Sequence, residues 1–369
     1  MRTGLRIVVI SMYLGAHLLA GSAYSFAESD NGLEPGITLL HEGKLSEAKQ
    51  FFTEKWKESE KSNADAAYYL GRVYYNYDLY DKAINYIEKA IELNDSVSDY
   101  HLYLGRSFGI KAMKANILKK ASLAKKVKRE FLRAVELDST SVWAHNDLIQ
   151  YYVMAPGIMG GSIERAIEHA HVLRNLDEKM GISAFGYIYN HEKRYDDVLE
   201  LYNSAIEKSP DEIDYYFQLA ETYDKIGERE KCIQVSEQVM EKMPDYSSDV
   251  LYYLAMKYQA WEEYDNAFEA LEQMIEINPD DLRPYYQFGR TAIFSGQQLE
   301  RAVEYYTHYL QHTPPKNQPS HSYARWRLGL VLEKLGELDK AKNEFEMAIN
   351  LDSKNEEAQK ALKDLKKKM

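Results

Sequence analysis

The sequence has a single cysteine, Cys232, among its 369 residues. One cysteine cannot form an internal disulfide, which excludes the disulfide-stapled frameworks of small secreted domains. It also excludes a C-x-x-C redox or zinc motif, because that motif needs two thiols. We therefore expect Cys232 to pack inside the fold as a small hydrophobic residue.

The sequence also lacks the short motifs that mark common active sites. It has no phosphate-binding loop, no H-E-x-x-H and no nucleophile elbow. Acidic residues are frequent along the whole chain, so no carboxylate pair can be identified as an acid/base dyad. We therefore predict that the protein is not an enzyme and uses no cofactor.

Histidine supplies the nearest candidate for a metal site. His308 and His312 are four residues apart, which places them on one face of a helix. Two ligands rarely define a zinc site, and no third ligand is identifiable, so no metal site is predicted. His169 and His171 are two residues apart, face different directions on a helix and are expected at the surface.

A net positive charge is absent as well, since the formal net charge at pH 7 is −12. General nucleic-acid binding requires a basic surface that neutralises phosphates. The composition therefore argues against a nucleic-acid partner.

One apolar run near the start, Ile7–Ala20, follows the basic residues Arg2 and Arg6. In Ser25-Phe26-Ala27, small residues then stand at the positions that precede a cleavage site. We therefore predict a secretory signal peptide at 1–27 and a mature start near Glu28. Retention of the run as an anchor is the alternative. We expect export across the inner membrane, and a periplasmic location if the source is Gram-negative.

The feature that recurs along the chain is a pattern with a step of about 34 residues. Gly71 and Gly105 are one such step apart, as are Ala255 and Gly289. Gly71 is followed by a small, a bulky and a small residue, namely Ala83, Ile87 and Ala90. Comparable residues follow at the same spacing in the other copies. Four copies close with a proline at a matching place: Pro210, Pro244, Pro279 and Pro314.

This pattern resembles the tetratricopeptide repeat, a helix–turn–helix unit that is repeated along a chain. The resemblance implies an all-α, right-handed solenoid of about nine repeats that stack to bury their apolar faces. The predicted units within a single solenoid at 28–369 are a degenerate repeat at 29–62, repeats at 64–97, 98–141, 142–178, 179–212, 213–246, 248–281, 282–316 and 322–355, and a capping helix at 356–369.

The resemblance further implies that the first helix of each repeat lines a concave groove that binds partner segments. Aromatic and arginine side chains dominate binding hot spots, which favours those types at the fifth and ninth positions. The alternative is that these aromatics only pack between adjacent first helices. The predicted groove residues are Tyr68, Arg72, Arg106, Phe217, Tyr252, Tyr286, Arg290 and Trp326.

The third repeat carries a basic insertion, Ile110–Arg129. Apolar residues at three- and four-residue steps, among them Met113, Ala124 and Val127, predict two lengthened amphipathic helices. The basic face is predicted to contact an acidic partner or anionic lipid, or else is a solvated helix face. The lysines that carry this prediction are Lys111, Lys114, Lys119, Lys120, Lys125 and Lys126.

The fourth repeat is interrupted by a glycine-rich loop, Ala155–Ser162, before its second helix. We expect the loop to let the lengthened third repeat pack, with anion binding or a partner contact at its apolar tip as alternatives. It lacks the spacing of a nucleotide-binding fingerprint. The candidate loop residues are Gly157, Ile158, Met159, Gly160 and Gly161.

Together these features predict an exported, non-enzymatic scaffold of the bacterial cell envelope that binds other proteins through its groove. Two alternatives stay open. The first is a self-associating structural protein of the envelope. The second is an envelope enzyme or carbohydrate-binding protein that uses the glycine-rich loop.

Overall fold

A computed structural model describes residues 32–369, without the side chains of residues 117 and 118. The predicted signal peptide and the predicted mature start at Glu28 lie outside the described residues. Within residues 32–369, no helix is both long enough and apolar enough to cross a bilayer.

The described chain consists of helices joined by turns, with no strand in residues 32–369, so the all-α solenoid prediction is confirmed. It falls into two compact units that divide after Arg194. The first unit contains α1 (Glu34–His41), α2 (Leu45–Glu58), α3 (Ala64–Asn76), α4 (Tyr80–Leu93), α5 (Ser98–Lys114), α6 (Ile117–Leu137), α7 (Val142–Met154), α8 (Ile163–Leu176) and α9 (Glu178–His191).

The second unit is Tyr195–Met369. It contains α10 (Tyr195–Lys208), α11 (Ile213–Lys225), α12 (Arg229–Lys242), α13 (Ser247–Ala260), α14 (Tyr264–Ile277), α15 (Leu282–Ser295), α16 (Leu299–Gln311), α17 (His321–Lys334), α18 (Leu338–Leu351) and α19 (Glu356–Leu365). The division falls inside the predicted repeat 179–212, and the single solenoid over 28–369 stays a prediction.

Local sequence signals account for where these helices begin and end. The Asn63 side chain accepts a hydrogen bond from the amide of Ala66 at the start of α3, and Ser162 accepts one from Arg165 at the start of α8. Proline cannot continue a helix, and four second helices end two or three residues before one: Pro210, Pro244, Pro279 and Pro314.

Small residues sit where paired helices cross. A Cβ on Gly71 of α3 would lie 2.6 Å from Cγ1 of Ile87 on α4, too close for any contact without movement. Ala83 and Ala90, on the same face of α4, are fully buried. Small residues are therefore required at this crossing. Cys232 is also buried, and burial raises the pKa of its thiol, as expected of a packing residue.

First helices also contact the first helices of neighbouring repeats. In the first unit α3 meets α5, α5 meets α7 and α7 meets α9, and in the second unit α15 meets α17. These contacts place the first helices of each unit side by side on one surface, here called its first-helix face. The groove residues predicted from the sequence all lie on first helices, including Phe217 on α11 and Tyr252 on α13.

A pair of histidines joins α7 to α8. The Nε2 atom of His145 donates to the carbonyl oxygen of Ser139 at 3.1 Å, so its Nδ1 atom accepts from Nδ1 of His169 at 2.9 Å. The expectation that His169 is a surface residue is wrong, because its side chain packs against His145 and the Tyr152 ring. Burial, with the nearby His145 and Arg165, lowers the pKa of His169 to about 4.

This lowered pKa predicts a loss of stability in mild acid. The unfolded chain, with a histidine pKa near 6.5, binds more protons than the folded chain between roughly pH 6.5 and pH 4. The contribution of the neutral His169 side chain to the free energy of unfolding is therefore fully present above that pH window. It decreases as the pH falls through the window. Because the His169 side chain is only partly buried, solvent screens part of this effect, and replacing it with glutamine should reduce the acid-induced loss of unfolding free energy by about 2 kcal/mol.

Urea unfolding of the parent and the H169Q variant, at neutral pH and in mild acid, checks this prediction. The matched control is H171Q, since His171 is an exposed neighbour on the same helix. H171Q should follow the parent at both pH values. An H169Q variant that loses as much stability in acid as the parent would contradict the prediction.

Candidate protein-binding site

Five of the predicted groove residues lie on first helices of the second unit, and three of them, Phe217, Tyr252 and Tyr286, contact the next first helix. The Phe217 ring packs edge-on against Tyr253, with ring centroids 5.4 Å apart. The Tyr252 hydroxyl accepts a hydrogen bond from Nε2 of Gln287 at 3.0 Å. Phe217, Tyr252 and Trp326 are half-buried, which leaves part of each ring open to a partner.

Tyr286 is different, because its side chain is only 6% exposed. Its ring packs between Tyr306 and Tyr309, and its hydroxyl accepts a hydrogen bond from Nε of Arg327 at 2.8 Å. Tyr286 therefore forms the floor of the first-helix face and is not available as a contact residue. Burial raises the pKa of Tyr286, and the neighbouring guanidinium groups of Arg327 and Arg290 oppose that rise.

Arg290 and Arg327 both lie beside Tyr286, and neither forms an ion pair with any residue in 32–369. The Arg327 guanidinium stacks on the Trp326 ring at 4.9 Å and on the Tyr286 ring at 5.6 Å. Arg290 stacks on Phe294 at 5.5 Å. Stacking holds the two planar cations in place. The Nε–H group of Arg327 is used by the Tyr286 hydroxyl, and the terminal N–H groups of the two guanidinium groups remain to donate to an anion.

Other arginines of the second unit are neutralised locally. Three of them form ion pairs with a glutamate of the same unit: Arg229 with Glu263 at 3.2 Å, Arg301 with Glu272, and Arg325 with Glu344 at 2.8 Å. In a chain with 58 acidic residues and 46 lysines and arginines, a carboxylate partner is the common outcome. Arg290 and Arg327 have no carboxylate partner in the part of the chain that the structure describes, so they form a distinct cationic site on the first-helix face.

Several buried polar atoms around Arg290 and Arg327 lack hydrogen-bond partners in the described chain. Nε of Arg290, Oε1 of Gln287 and the hydroxyl of the fully buried Tyr306 have no hydrogen-bond partner in residues 32–369. Leaving such groups unsatisfied costs about 1–3 kcal/mol each. A bound carboxylate can accept from the terminal N–H groups of Arg290, whereas Oε1 of Gln287 is itself an acceptor and cannot pair with it. We call Arg290, Arg327, Tyr286 and Tyr306 the arginine site.

In the first unit, Arg72 is enclosed by tyrosines. Its guanidinium lies 4.5 Å from the Tyr103 ring and 5.8 Å from the Tyr68 ring. Tyr68 is 2% exposed, so like Tyr286 it belongs to the floor of its first-helix face and cannot offer a contact surface. Arg106 is occupied as well, because it forms an ion pair with Asp147 on α7.

The lysines of the basic insertion occupy the extended ends of α5 and α6. Lys111 forms an ion pair with Asp81, and the Lys114 ammonium lies 5.3 Å from the Tyr80 ring. Lys126 lies 4.8 Å from the Phe108 ring. The remaining three predicted lysines are exposed: Lys119, Lys120 and Lys125.

The amphipathic pattern of the insertion is confirmed for α6, where Ala124, Val127 and Phe131 are buried. It is wrong for Met113 near the end of α5, whose side chain is 55% exposed. The physical reason is that Met113 lies in the last turn of α5, which is longer than the neighbouring helices α4 and α7.

The glycine-rich loop packs against the lengthened third repeat, as expected. Gly157–Met159 form one 3-10 turn that contacts α6, and Nζ of Lys128 donates to the carbonyl oxygen of Gly160 at 3.3 Å. The Tyr151 hydroxyl donates to the carbonyl oxygen of Met159 at 2.5 Å, which holds the turn on α7. Gly161 is packed too closely for any side chain, since a Cβ there would lie 1.7 Å from the oxygen of Ala155.

The side chains of the two histidines considered for a metal make other contacts instead. Nδ1 of His312 donates to the carbonyl oxygen of His308 at 2.9 Å, and the His308 ring stacks on Tyr285 at 4.2 Å. Across residues 32–369, no three histidine, cysteine or acidic side chains are arranged to hold a metal ion.

Three residues of the second-unit face were not predicted: Phe294, Tyr323 and Arg327. Phe294 is 56% exposed and lies four residues after Arg290, on the same side of α15. Tyr323 and Arg327 are close neighbours of Trp326 on α17. Extending the predicted positions by one helical turn would have found Phe294 and Tyr323. Arg327 carries no such signal, since its role depends on contact with α15.

Family models of the tetratricopeptide repeat match residues 39–105, 213–241, 248–281 and 322–355. No curated protein matches the chain. Among solved structures, a thermophilic TPR protein of Thermus thermophilus is similar at 18% identity and a TM-score of 0.43, over 52% of this chain and 97% of its own. Yeast Tom70 is similar at 14% identity and a TM-score of 0.42, over 91% of this chain and 94% of its own.

Proposed function

Because this chain is a tetratricopeptide-repeat protein, we propose that it is a non-enzymatic scaffold that binds extended, acidic segments of other proteins on the first-helix face of Tyr195–Met369. The observation that carries the proposal is the arginine site. Arg290 and Arg327 are two cations without a carboxylate in the described chain, held in place by aromatic rings.

The surroundings of the arginine site fit a polypeptide ligand. Phe294 and Tyr323 are exposed beside it, and Trp326 is half-buried, so apolar side chains of a partner have rings to pack against. Aromatic and arginine side chains are the types that contribute most to binding energy at protein interfaces. Because the rings and guanidinium groups are already placed by packing, binding costs little ordering of the scaffold.

A random-peptide library selected on the purified chain, starting at Glu28, tests the proposal. Peptides that survive selection should be enriched in aspartate and glutamate next to apolar residues. Because the chain itself is acidic, such enrichment cannot come from its overall charge. Selection of neutral or basic peptides, or of none, would count against the proposed function.

We further propose that the protein is exported to the bacterial cell envelope. The support is the sequence of the first 27 residues, with its basic start, apolar run and small residues before Glu28. Expressed in a Gram-negative host, the chain should be recovered from the periplasm with Glu28 at its N-terminus. Replacing Arg2 and Arg6 with glutamate should slow export, because the positive start of a signal orients it at the membrane. Recovery of uncut chain from the cytoplasm would overturn this proposal.

A further inference from the structure

The strongest local charge of the chain is on the hairpin formed by α5 and α6. Residues 110–129 contain no aspartate or glutamate, and they contain eight cations: Lys111, Lys114, Lys119, Lys120, Lys125, Lys126, Lys128 and Arg129. The whole chain carries a formal charge of −12. The molecule is therefore polarised, with a basic hairpin on an otherwise acidic surface.

The geometry of the hairpin presents this charge outward. Helices α5 and α6 have 17 and 21 residues, whereas the neighbouring helices α4 and α7 have 14 and 13. The extra turns form an end that extends past the neighbouring repeats. Lys119, Lys120 and Lys125 are exposed on this end, and none of the three forms an ion pair with a residue of 32–369.

An apolar tip lies next to the basic hairpin. Ile158 is 92% exposed, the most exposed large apolar side chain in the described chain. The bond from Lys128 to Gly160 attaches its turn to α6, and Lys125 lies one helical turn from Lys128. Met154, at the end of α7 before the same loop, is exposed as well. Lysines and apolar side chains thus share one region of the first unit.

We infer that this surface, formed by Lys119, Lys120, Lys125 and Ile158, docks on an anionic phospholipid bilayer. Lysines close to an anionic membrane each strengthen binding by roughly fivefold, without a defined geometry. Ile158 and Met154 enter the boundary between head groups and acyl chains, where an apolar side chain leaves water. The chain outside residues 110–129 is acidic in total and is repelled by the same membrane, which favours the orientation with the basic hairpin toward it.

The features of the surface favour lipid over an acidic protein. Protein interfaces concentrate tryptophan, tyrosine and arginine in closed pockets. The hairpin end carries flexible lysines instead, and its neighbouring tip is a single isoleucine on a tight turn. Lysine is a compact point charge, suited to a diffuse anionic surface. This inference is independent of the arginine site and of peptide binding.

Vesicle sedimentation tests the inference with the chain that begins at Glu28. This chain keeps residues 32–369 and omits the apolar run Ile7–Ala20, which would bind lipid by itself. Vesicles of phosphatidylcholine with and without phosphatidylglycerol are the probes. The parent should sediment only with the anionic vesicles, and added salt should weaken the binding.

The variant K119E/K120E/K125E should bind anionic vesicles at least roughly a hundredfold more weakly, given roughly fivefold per lysine. Glutamate at positions 119 and 120 lies in the first turn of α6 and suits the helix dipole, and Lys125 is exposed, so the variant should stay folded. The I158S variant should lose roughly tenfold. The control K208E/K354E/K360E changes the charge equally at exposed lysines of the second unit and should bind nearly as the parent does.

Two results would overturn the inference. The first is a parent protein that does not bind phosphatidylglycerol vesicles, which is expected if the hairpin serves an acidic protein instead. The second is an equal loss of binding in K119E/K120E/K125E and in K208E/K354E/K360E. That result would show that the lost affinity reflects net charge and not the hairpin surface.

Discussion

Replacement of Arg290 and Arg327 by glutamine is expected to weaken the binding of acidic peptides by roughly a hundredfold or more. A hydrogen bond to a charged group contributes about 1.5–3 kcal/mol, and the pair can make several to one carboxylate. Glutamine keeps a polar side chain but supplies no charge and no planar fork. Neither arginine has an acidic partner in residues 32–369, and the variant loses only the hydrogen bond from Arg327 to the Tyr286 hydroxyl, so it should stay folded with about 1 kcal/mol less stability than the parent.

The control for this prediction is R229Q/R301Q, which removes the same number of charges. Arg229 and Arg301 lie on the second helices α12 and α16, each in an exposed ion pair with a glutamate. Exposed pairs contribute about 0–1 kcal/mol to stability, so this variant should fold and bind as the parent does. Calorimetric titration with one selected peptide measures all three proteins. Equal affinities for the parent and R290Q/R327Q would show that the arginine site does not contribute to peptide binding.

A large loss of stability is expected from placing a methyl group on Gly181 of α9. A Cβ there would lie 2.2 Å from Cα of Arg174 and 2.6 Å from its backbone nitrogen. Backbone cannot rotate away as a side chain does, so α8 and α9 must separate at a point where Leu173 and Ile182 are buried. We expect G181A to lower the free energy of unfolding by roughly 2–3 kcal/mol.

Gly109 of α5 provides the matched control, because nothing lies within 4 Å of a Cβ built on it. Alanine favours a helix over glycine by about 1 kcal/mol, so G109A should leave stability unchanged or increase it. Urea unfolding followed by circular dichroism compares the two variants. If G181A unfolds at the same urea concentration as G109A, the close approach of α8 to α9 is not present in solution.

Much of the fold could be predicted from the sequence, because the same pattern of small, bulky and helix-ending residues recurs in each repeat. Gly71 has to be small since Ile87 lies across from it, and a small residue returns at the matching place in the next repeat, at Gly105. Prolines mark the ends of second helices because they cannot donate a backbone hydrogen bond. Repetition lets weak signals reinforce one another.

The floor of the first-helix faces could not be predicted in the same way. Tyr68 and Tyr286 share a repeat position with Tyr252, yet only Tyr252 stays half-open. The difference depends on the residues that the next first helix supplies, namely Tyr100 beside Tyr68 and Arg327 beside Tyr286. A position within a repeat indicates where a side chain points, but not how much its neighbour covers it.

The irregular parts were harder for a related reason. The contact of Lys128 with Gly160 joins two insertions, each without a counterpart in the other repeats. Their lengths and compositions indicate two elongated helices and a tight turn. Their mutual packing arises only in three dimensions, and with it the placement of Ile158 beside the lysines.

The central claim is that Arg290 and Arg327 make the first-helix face of Tyr195–Met369 select acidic segments. The most direct test repeats the random-peptide selection with three baits, namely the parent, R290Q/R327Q and R229Q/R301Q. The account predicts enrichment of aspartate and glutamate on the parent and on R229Q/R301Q, and its disappearance on R290Q/R327Q. The same acidic enrichment on all three baits would contradict the claim.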